Sequence, residues 1–550
     1  MMEYNEEAIL SKNEYQIFEK RNLIIFVSGV ISRSDKCKID LYSLAEQALS
    51  DTLNFNKICG WYRIAIHDKK NNSWVFWGDH AGSQCFFIND QESRFCDSLL
   101  WLNDICKQKK LEPDLYAVSE LFQYRRIFGN RTIFRHLKKT DPDHYYRLSE
   151  GRIIVKEKRL HSFSKLPENY RLSDVFDNLI SKESKICAVC TGGTDSRAVL
   201  AHLIYRGFRP DLYITGHLDN PDIRIAKKLA QTLDLPLTII SPKQKEENWI
   251  EKAICFTDGA YDAVLSYRHF QKAQYVKDKG YLFEFGGVGG EFYKNSFCHP
   301  FRNGFPRKND MNYFYKNVIE NSALTTTWCG EKVIKAARED KGTLQKIARL
   351  SLDETNLLSA CNRVGYELLR SSSGAITNGY ARSCIKIDPL MDRNLVAAVS
   401  QKNLIKLSMH IWQRREIAKY CPNISNLKTD QGYSCSMNIL IVFMEQMKRI
   451  WFYMNRVIAR IRKKLGFDYK TAEAHYWDLD YKQARQTEEW RQSVSYCKKA
   501  GLLKSGIEDE MIPMAQTGMI LLIGVIFSGK FSKVIDKYLQ YDQEANAKVN

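Results

Sequence analysis

The chain reads as antiparallel strands and hairpins, then a parallel α/β sheet, then a helical tail. Three observations predict this. Residues 22 to about 160 carry short strand-like runs joined by polar turns, clearest where Gly60–Asp68 turns at Lys69–Asn72 and returns as Ser73–Gly78. From Leu172 onward, strands alternate with helices, the pattern of a parallel sheet. In the last part of the chain, Met447–Leu465 has apolar residues at helical spacing with a basic opposite face.

Composition narrows the function classes. The 550 residues suit two to four domains, and 44% hydrophobic with 27% charged residues is the balance of a folded globular chain. The net charge of +18 suits nucleic acid, an anionic membrane surface or an acidic substrate. No helix-turn-helix, zinc-finger or RNP-type pattern is present, so nucleic acid is not an expected partner. Fifteen cysteines show no framework spacing. Cys187 and Cys190 would point to opposite faces of one strand, so the cysteines read as small buried hydrophobes in a reducing cytosol. Met1–Glu7 has neither a basic nor an apolar leader region, and the longest apolar run, Met519–Phe527, is too short to span a bilayer. A cytoplasmic location is expected.

The most informative stretch is Ile186–Arg197. Ile186–Cys190 reads as a buried strand, Gly192 and Gly193 as a tight turn, and Ala198–Ile204 as the helix that follows. Such a junction is an anion site: bare backbone approaches a phosphate closely, and the unpaired N–H groups of the first helical turn point at it. Thr191 and Ser196 add hydroxyls, and Asp195 a carboxylate suited to Mg²⁺. The alternative is a plain turn with Asp195 and Ser196 as helix caps. The next strand, Asp211–Gly216, brings Thr215 and Gly216 beside the loop, because ligands of open parallel sheets sit at the carboxyl ends of the strands. Tyr281–Tyr293 is again a strand followed by a glycine-rich turn.

Thr191-Gly192-Gly193-Thr194-Asp195-Ser196 resembles the S-G-G-x-D-S pyrophosphate loop of the asparagine synthetase family of ATP pyrophosphatases, with Thr191 in place of Ser. The resemblance implies ATP and Mg²⁺ as cofactors. It implies that Cys190, Thr191, Gly192, Gly193, Asp195 and Ser196 grip the pyrophosphate of ATP. Thr215 and Gly216 match the family's V-G pair, whose backbone meets adenine. Phe285 and Gly286 open a stretch similar to S-G-x-G-x-D-E-x-F. Asp195 is the implied metal ligand. The usual second carboxylate falls on Gly290, which leaves Glu291, one position on, as its substitute. Asp388-Pro389-Leu390-Met391-Asp392 looks like the P-F-L-D segment, but Ile385 and Ile387 stand where relatives carry an acid and an arginine, so a different substrate is expected. Lys428 falls on the lysine that relatives place near the phosphates and the tetrahedral intermediate, and it is the implied catalytic residue.

The strand order from Gly60 through Asp79-His80-Ala81-Gly82-Ser83 to Gln84–Ile88 is similar to the family's amidotransferase domain, implying an α+β sandwich of the N-terminal-nucleophile (Ntn) hydrolase type. That chemistry needs a cysteine at residue 2. Here Met2 and Glu3 precede a first cysteine at Cys37, and the N-G-E glutamine-binding stretch is absent.

The expected organisation is therefore an inactive glutaminase-like domain at 1–165, an α/β ATP-pyrophosphatase domain at 166–437 and a helical extension at 438–550. The expected activity is AMP-forming amide ligation, joining a small-molecule or peptide carboxylate to an amine or ammonia without glutamine hydrolysis. A homodimer is compatible with it. The alternatives are amidation of a cell-surface glycan acid and a nucleotide-binding protein that has lost catalysis. In the extension, Met447–Leu465 is read as a core-packed helix with a solvated basic side, in preference to an interfacial helix on anionic lipid. Gly524–Lys530 spaces its glycines and lysine like a phosphate loop, but Phe531 stands where Ser or Thr is required, and a buried helix is expected instead.

Overall fold

The computed structural model describes residues 2–528 apart from 6–7, 11–14, 107–111, 178, 180–183, 217, 219, 242–244, 295, 299–326, 341, 404–405, 408, 431, 449–450, 452–453 and 455–476. Among the described residues, eleven strands precede residue 160: β1 (Met2–Asn5), β2 (Ala8–Leu10), β3 (Gln16–Lys20), β4 (Leu23–Arg33), β5 (Ile58–Asp68), β6 (Ser73–Gly78), β7 (Phe87–Asn89), β8 (Arg94–Cys96), β9 (Lys138–Lys139), β10 (His144–Ser149) and β11 (Arg152–Glu157). They form an antiparallel six-stranded sheet, β11-β10-β6-β5-β4-β3, and a five-stranded sheet, β1-β2-β8-β7-β9, in which only β2 and β8 run parallel.

Alternation along β4 explains the layering. Ile24 and Phe26 face the five-stranded sheet, in a core with Phe76, Phe86, Phe95 and Tyr146. Ile25 and Val27 face the other way, onto Leu44, Ala45 and Ala48 of the Leu41–Leu49 helix. Period-2 patterning on a sheet buried on both faces makes this one-residue switch of core obligatory. Phe76 and Phe95 stack at 4.0 Å in the layer between the sheets. The far side of the five-stranded sheet is covered by the helices Leu99–Ile105 and Leu115–Tyr124. The result is a helix–sheet–sheet–helix stack.

The second architecture is a parallel sheet. Its strands are β12 (Ile186–Val189), β13 (Asp211–Thr215), β14 (Leu237–Ile240), β15 (Phe283–Phe285) and β16 (Ile385–Ile387), in the order β14-β13-β12-β15-β16. The chain moves outward from β12 through β13 to β14, then returns to the other side of β12. Its direction of progress therefore reverses between β12 and β15, which is where open parallel sheets take their ligands. Both faces are buried. Ala188, Leu212, Phe285 and Ile387 join one core with the Thr194–Tyr205 and Pro221–Leu233 helices. Cys187 and Tyr213 join the other, with the Trp249–Phe256 and Ala263–Asp278 helices. Cys187 and Cys190 do fall on opposite sides, in different cores. Burial pushes the Cys190 thiol up to about 12.

The two architectures are locked together by the Leu357–Tyr380 helix. Asn378 Oδ1 accepts from Arg63 Nη1 at 3.3 Å and from the Cys85 N–H at 3.2 Å. Asp143 receives Arg363 Nη2 at 3.0 Å and Arg370 Nη2 at 2.9 Å.

Beyond residue 476 the chain returns to this interior. The Thr517–Phe527 helix is buried along its whole length, against Glu488–Lys499 and against residues that include Leu100, Ile133 and Phe134. The expected burial of Met519–Phe527 is thus met. The core-packed reading of Met447–Leu465 fails at its described apolar positions, where Met447, Trp451 and Met454 are exposed because Glu445 ties the helix to the body by its polar side; residues 449–450, 452–453 and 455–465 lie outside the described ones. Lys530 and Phe531 also lie outside them. Among the described residues, no helix is long and apolar enough to cross a membrane.

Candidate functional site

The loop Cys190–Ser196 leaves the carboxyl end of β12, the central strand of the parallel sheet. The Cys190 N–H still donates to Tyr213 O at 2.9 Å, the last ladder bond before the turn. The helix that follows begins at Thr194, and its N-cap is Gly193, with no side-chain cap. Asp195 and Ser196 therefore lie inside the first turn and are not caps. The Ser196 hydroxyl instead faces back across the loop, 2.8 Å from the Thr191 hydroxyl and 3.3 Å from the Thr191 N–H. The Gly193 N–H donates to Thr191 Oγ1 at 3.4 Å, and with no side-chain cap the helix start is of the kind suited to anion binding.

The strand register assembles the remaining expected residues. Val189 pairs with Tyr213, so Thr215 reaches the level of Thr191, and the Gly216 N–H donates to Ile240 O at 3.2 Å. On the other side Ala188 pairs with Phe285, and the Gly286 N–H donates to Ile387 O at 2.9 Å. The Phe285 ring is buried and stacks on Phe176, so only its backbone can meet a ligand.

Asp195 points across the β12/β15 divide onto Gly290. A Cβ built on Gly290 would stand 2.0 Å from Asp195 Cγ, so no side chain fits at that position while Asp195 keeps this rotamer. The Lys294 ammonium holds Asp195 Oδ2 at 2.5 Å. Crowding by protein, with the Asp195 charge as a smaller cause, raises the Glu291 carboxyl above its ordinary value. Among the described residues no three acidic, histidine or cysteine groups converge on a common point. Two carboxylates nevertheless suit Mg²⁺, which keeps several waters and takes its other ligands from the phosphates it accompanies.

Lys428 is exposed, and its place beside the loop is set by a residue that the sequence reading missed. Arg197, 1% exposed, projects from the helix and donates to Leu427 O at 2.6 Å and Lys428 O at 3.2 Å. The Asp430 N–H donates to Gly192 O at 3.2 Å. The 427–430 segment is thereby tied to both the loop and its helix. In sequence Arg197 carries no assigned role; the one signal available there is its position one turn from an anion site.

Two further acids were missed. Asp222 Oδ1 would lie 2.5 Å from a Cβ on Gly192, with Asp430 Cβ 3.2 Å from the same point. Burial, then the charge of Asp430, raises the Asp222 carboxyl. Beside β15, Lys386 binds the fully buried Glu284 at 2.8 Å and lies 3.8 Å from Asp388. Burial alone would lower the Lys386 ammonium, but Asp388 and Glu284 outweigh it and raise it. Ile385 and Ile387, the positions singled out in the sequence, flank this lysine; Ile387 joins the core on the opposite face.

No protein-family model and no curated protein matches the chain.

Proposed function

We propose that this protein is an ATP-dependent, AMP-forming amide ligase similar to the asparagine synthetases. The loop Thr191–Ser196 would bind the pyrophosphate of ATP. The observation that carries the reading is the uncapped helix start at Gly193, on the central strand, where the sheet order reverses. The motif order and the helix–sheet–sheet–helix stack of the first 160 residues support it, because an Ntn-type sandwich followed by a pyrophosphatase sheet is the family's arrangement.

In this reading a substrate carboxylate attacks the α-phosphorus of ATP, giving an acyl-adenylate and pyrophosphate. An amine or ammonia then displaces AMP and leaves an amide. The loop N–H groups and the hydroxyls of Thr191 and Ser196 orient the leaving pyrophosphate. Asp195 and Glu291 would hold Mg²⁺, which when bound offsets charge on the phosphates. Lys294 restrains Asp195. Lys428 is positioned by Arg197 to stabilise negative charge on the reacting oxygens. The acceptor side is assigned to the β15–β16 edge, where Glu284, Lys386 and Asp388 replace the family's usual pair.

The test is exchange of labelled pyrophosphate into ATP in the presence of candidate carboxylic acids. Acid-dependent exchange, lost in Asp195→Asn, supports the ligase. ATP binding without exchange for any acid would favour the nucleotide-binding alternative, to which the missing carboxylate at Gly290 lends weight.

A further inference from the structure

Residues 439–448 are helical, and 451 and 454 carry the same assignment. The inner side of this helix is fixed to the body. Val442 is 6% exposed, and Glu445 accepts from Nη2 of the buried Arg414 and from the Ser434 N–H, both at 2.7 Å. The outer side is apolar. Leu440 is 69% exposed, Phe443 63%, Met444 56%, Met447 50%, Trp451 64% and Met454 50%. At about 100° per residue Leu440, Phe443, Met444 and Met447 fall within an arc of roughly 100°, centred nearly opposite Val442, and Trp451 and Met454 are exposed beyond them. An ordinary surface helix hides such a stripe and turns its carboxylate to water. Here the carboxylate is inside and the stripe outside.

Single exposed apolar residues need no explanation, but a contiguous stripe marks an interaction surface. Charge selects the occupant. Lys448 is exposed at the end of the stripe. From Gln446 to Phe467 the sequence holds Lys448, Arg449, Arg456, Arg460, Arg462, Lys463 and Lys464 and no acid. A purely apolar protein groove would leave those cations unanswered. An anionic bilayer supplies hydrocarbon for the stripe and phosphate for the cations in adjacent layers. Trp451 and Phe443 are aromatic residues of the kind favoured on the apolar face of interfacial helices.

We propose that Leu440, Phe443, Met444, Met447, Trp451 and Met454 seat the protein on an anionic membrane surface. The stripe enters the boundary between headgroups and acyl chains, and the helix lies in the plane of the membrane. The proposal stands independently of the phosphate-loop reading.

The test is flotation of the full chain with vesicles of phosphatidylcholine alone and of phosphatidylcholine mixed with phosphatidylglycerol. Phe443→Gln/Met447→Gln/Trp451→Gln alters only exposed side chains, and circular dichroism verifies its fold. The wild type floats with the anionic vesicles, less so in high salt, and the variant's partitioning falls at least about tenfold. Equal flotation of variant and wild type overturns the proposal, as does indifference to phosphatidylglycerol. A wild-type dimer that the variant breaks, with no flotation of either, assigns the stripe to a second copy of the chain and overturns it too.

Discussion

The carboxylate of Asp195 lies over the α-carbon of Gly290, with a built Cβ at 290 only 2.0 Å from Asp195 Cγ. The first acid of the loop thus occupies the space that a side chain at 290 would need. Lys294, at 2.5 Å, holds it there.

Gly290→Ala forces Asp195 off this position. Overpacking of this kind costs about 1–3 kcal/mol of stability. On the proposed reading, in which Asp195 serves the reacting phosphates, its displacement by about 1 Å lowers pyrophosphate release on the order of 10²-fold. Urea unfolding and a coupled pyrophosphate assay read the two effects separately. An unchanged rate in a folded Gly290→Ala protein would remove Asp195 from the chemistry.

Arg197 reaches Lys428 only through main-chain carbonyls, so it acts by holding the 427–430 segment. Arg197→Met deletes charge-assisted hydrogen bonds each worth roughly 1.5–3 kcal/mol and releases that segment. Its loss of kcat should overlap with that of Lys428→Met, so that the double variant is little worse than the poorer single one. Additive losses would show that the two residues act apart.

Asp222 places a negative charge against Gly192, in the loop proposed to take a polyanion. Its raised carboxyl shows that the folded chain disfavours this charge. Removing it in Asp222→Asn should tighten ATP binding about tenfold, as one repulsion of roughly 1.4 kcal/mol is relieved. Calorimetric titration with ATP and Mg²⁺ measures it. Weaker binding in the variant would mean that Asp222 helps to hold the ligand.

Asp143, paired with Arg363 and Arg370, should make the stability of the joined architectures fall under acid. Burial alone would raise its carboxyl, but Arg370 and Arg363 hold it well below the usual carboxylate range. A depressed acid stabilises the fold fully above its unfolded value of about 3.9, and the contribution is lost as pH falls through the folded value. Asp143→Asn should therefore cost roughly 2–3 kcal/mol at pH 7, less than a fully buried pair because Asp143 keeps some water. The gap between variant and wild type should close under acid. Denaturant midpoints at several pH values test this; a gap independent of pH would assign the loss to packing.

Much of the architecture was legible because it rests on local rules. The Gly60–Gly78 hairpin, the β12 loop with its helix and the strand at 211–215 follow from alternation and glycine placement, and their positions hold to within a few residues. What escaped depended on side chains far apart in sequence. Nothing near Arg197 announces that its partners are carbonyls at 427 and 428. Lys386 lies between two isoleucines that drew attention instead, and only the pairing of β15 with β16 reveals Glu284 beside it. The reading of Met447–Leu465 misled for a related reason: periodicity finds an apolar stripe, but not that the ion pair of the buried Arg414 with Glu445 leaves Met447, Trp451 and Met454 facing out.

The deep placement of the Thr517–Phe527 helix has a consequence for biosynthesis. Gln516 Nε2 donates to Phe122 O across a separation of 394 residues, and the same interior holds Leu100, Ile133 and Phe134. Those early side chains leave the ribosome long before their final neighbours are translated. The nascent polypeptide must carry that apolar surface uncovered for most of its synthesis, which makes it a natural client for chaperones.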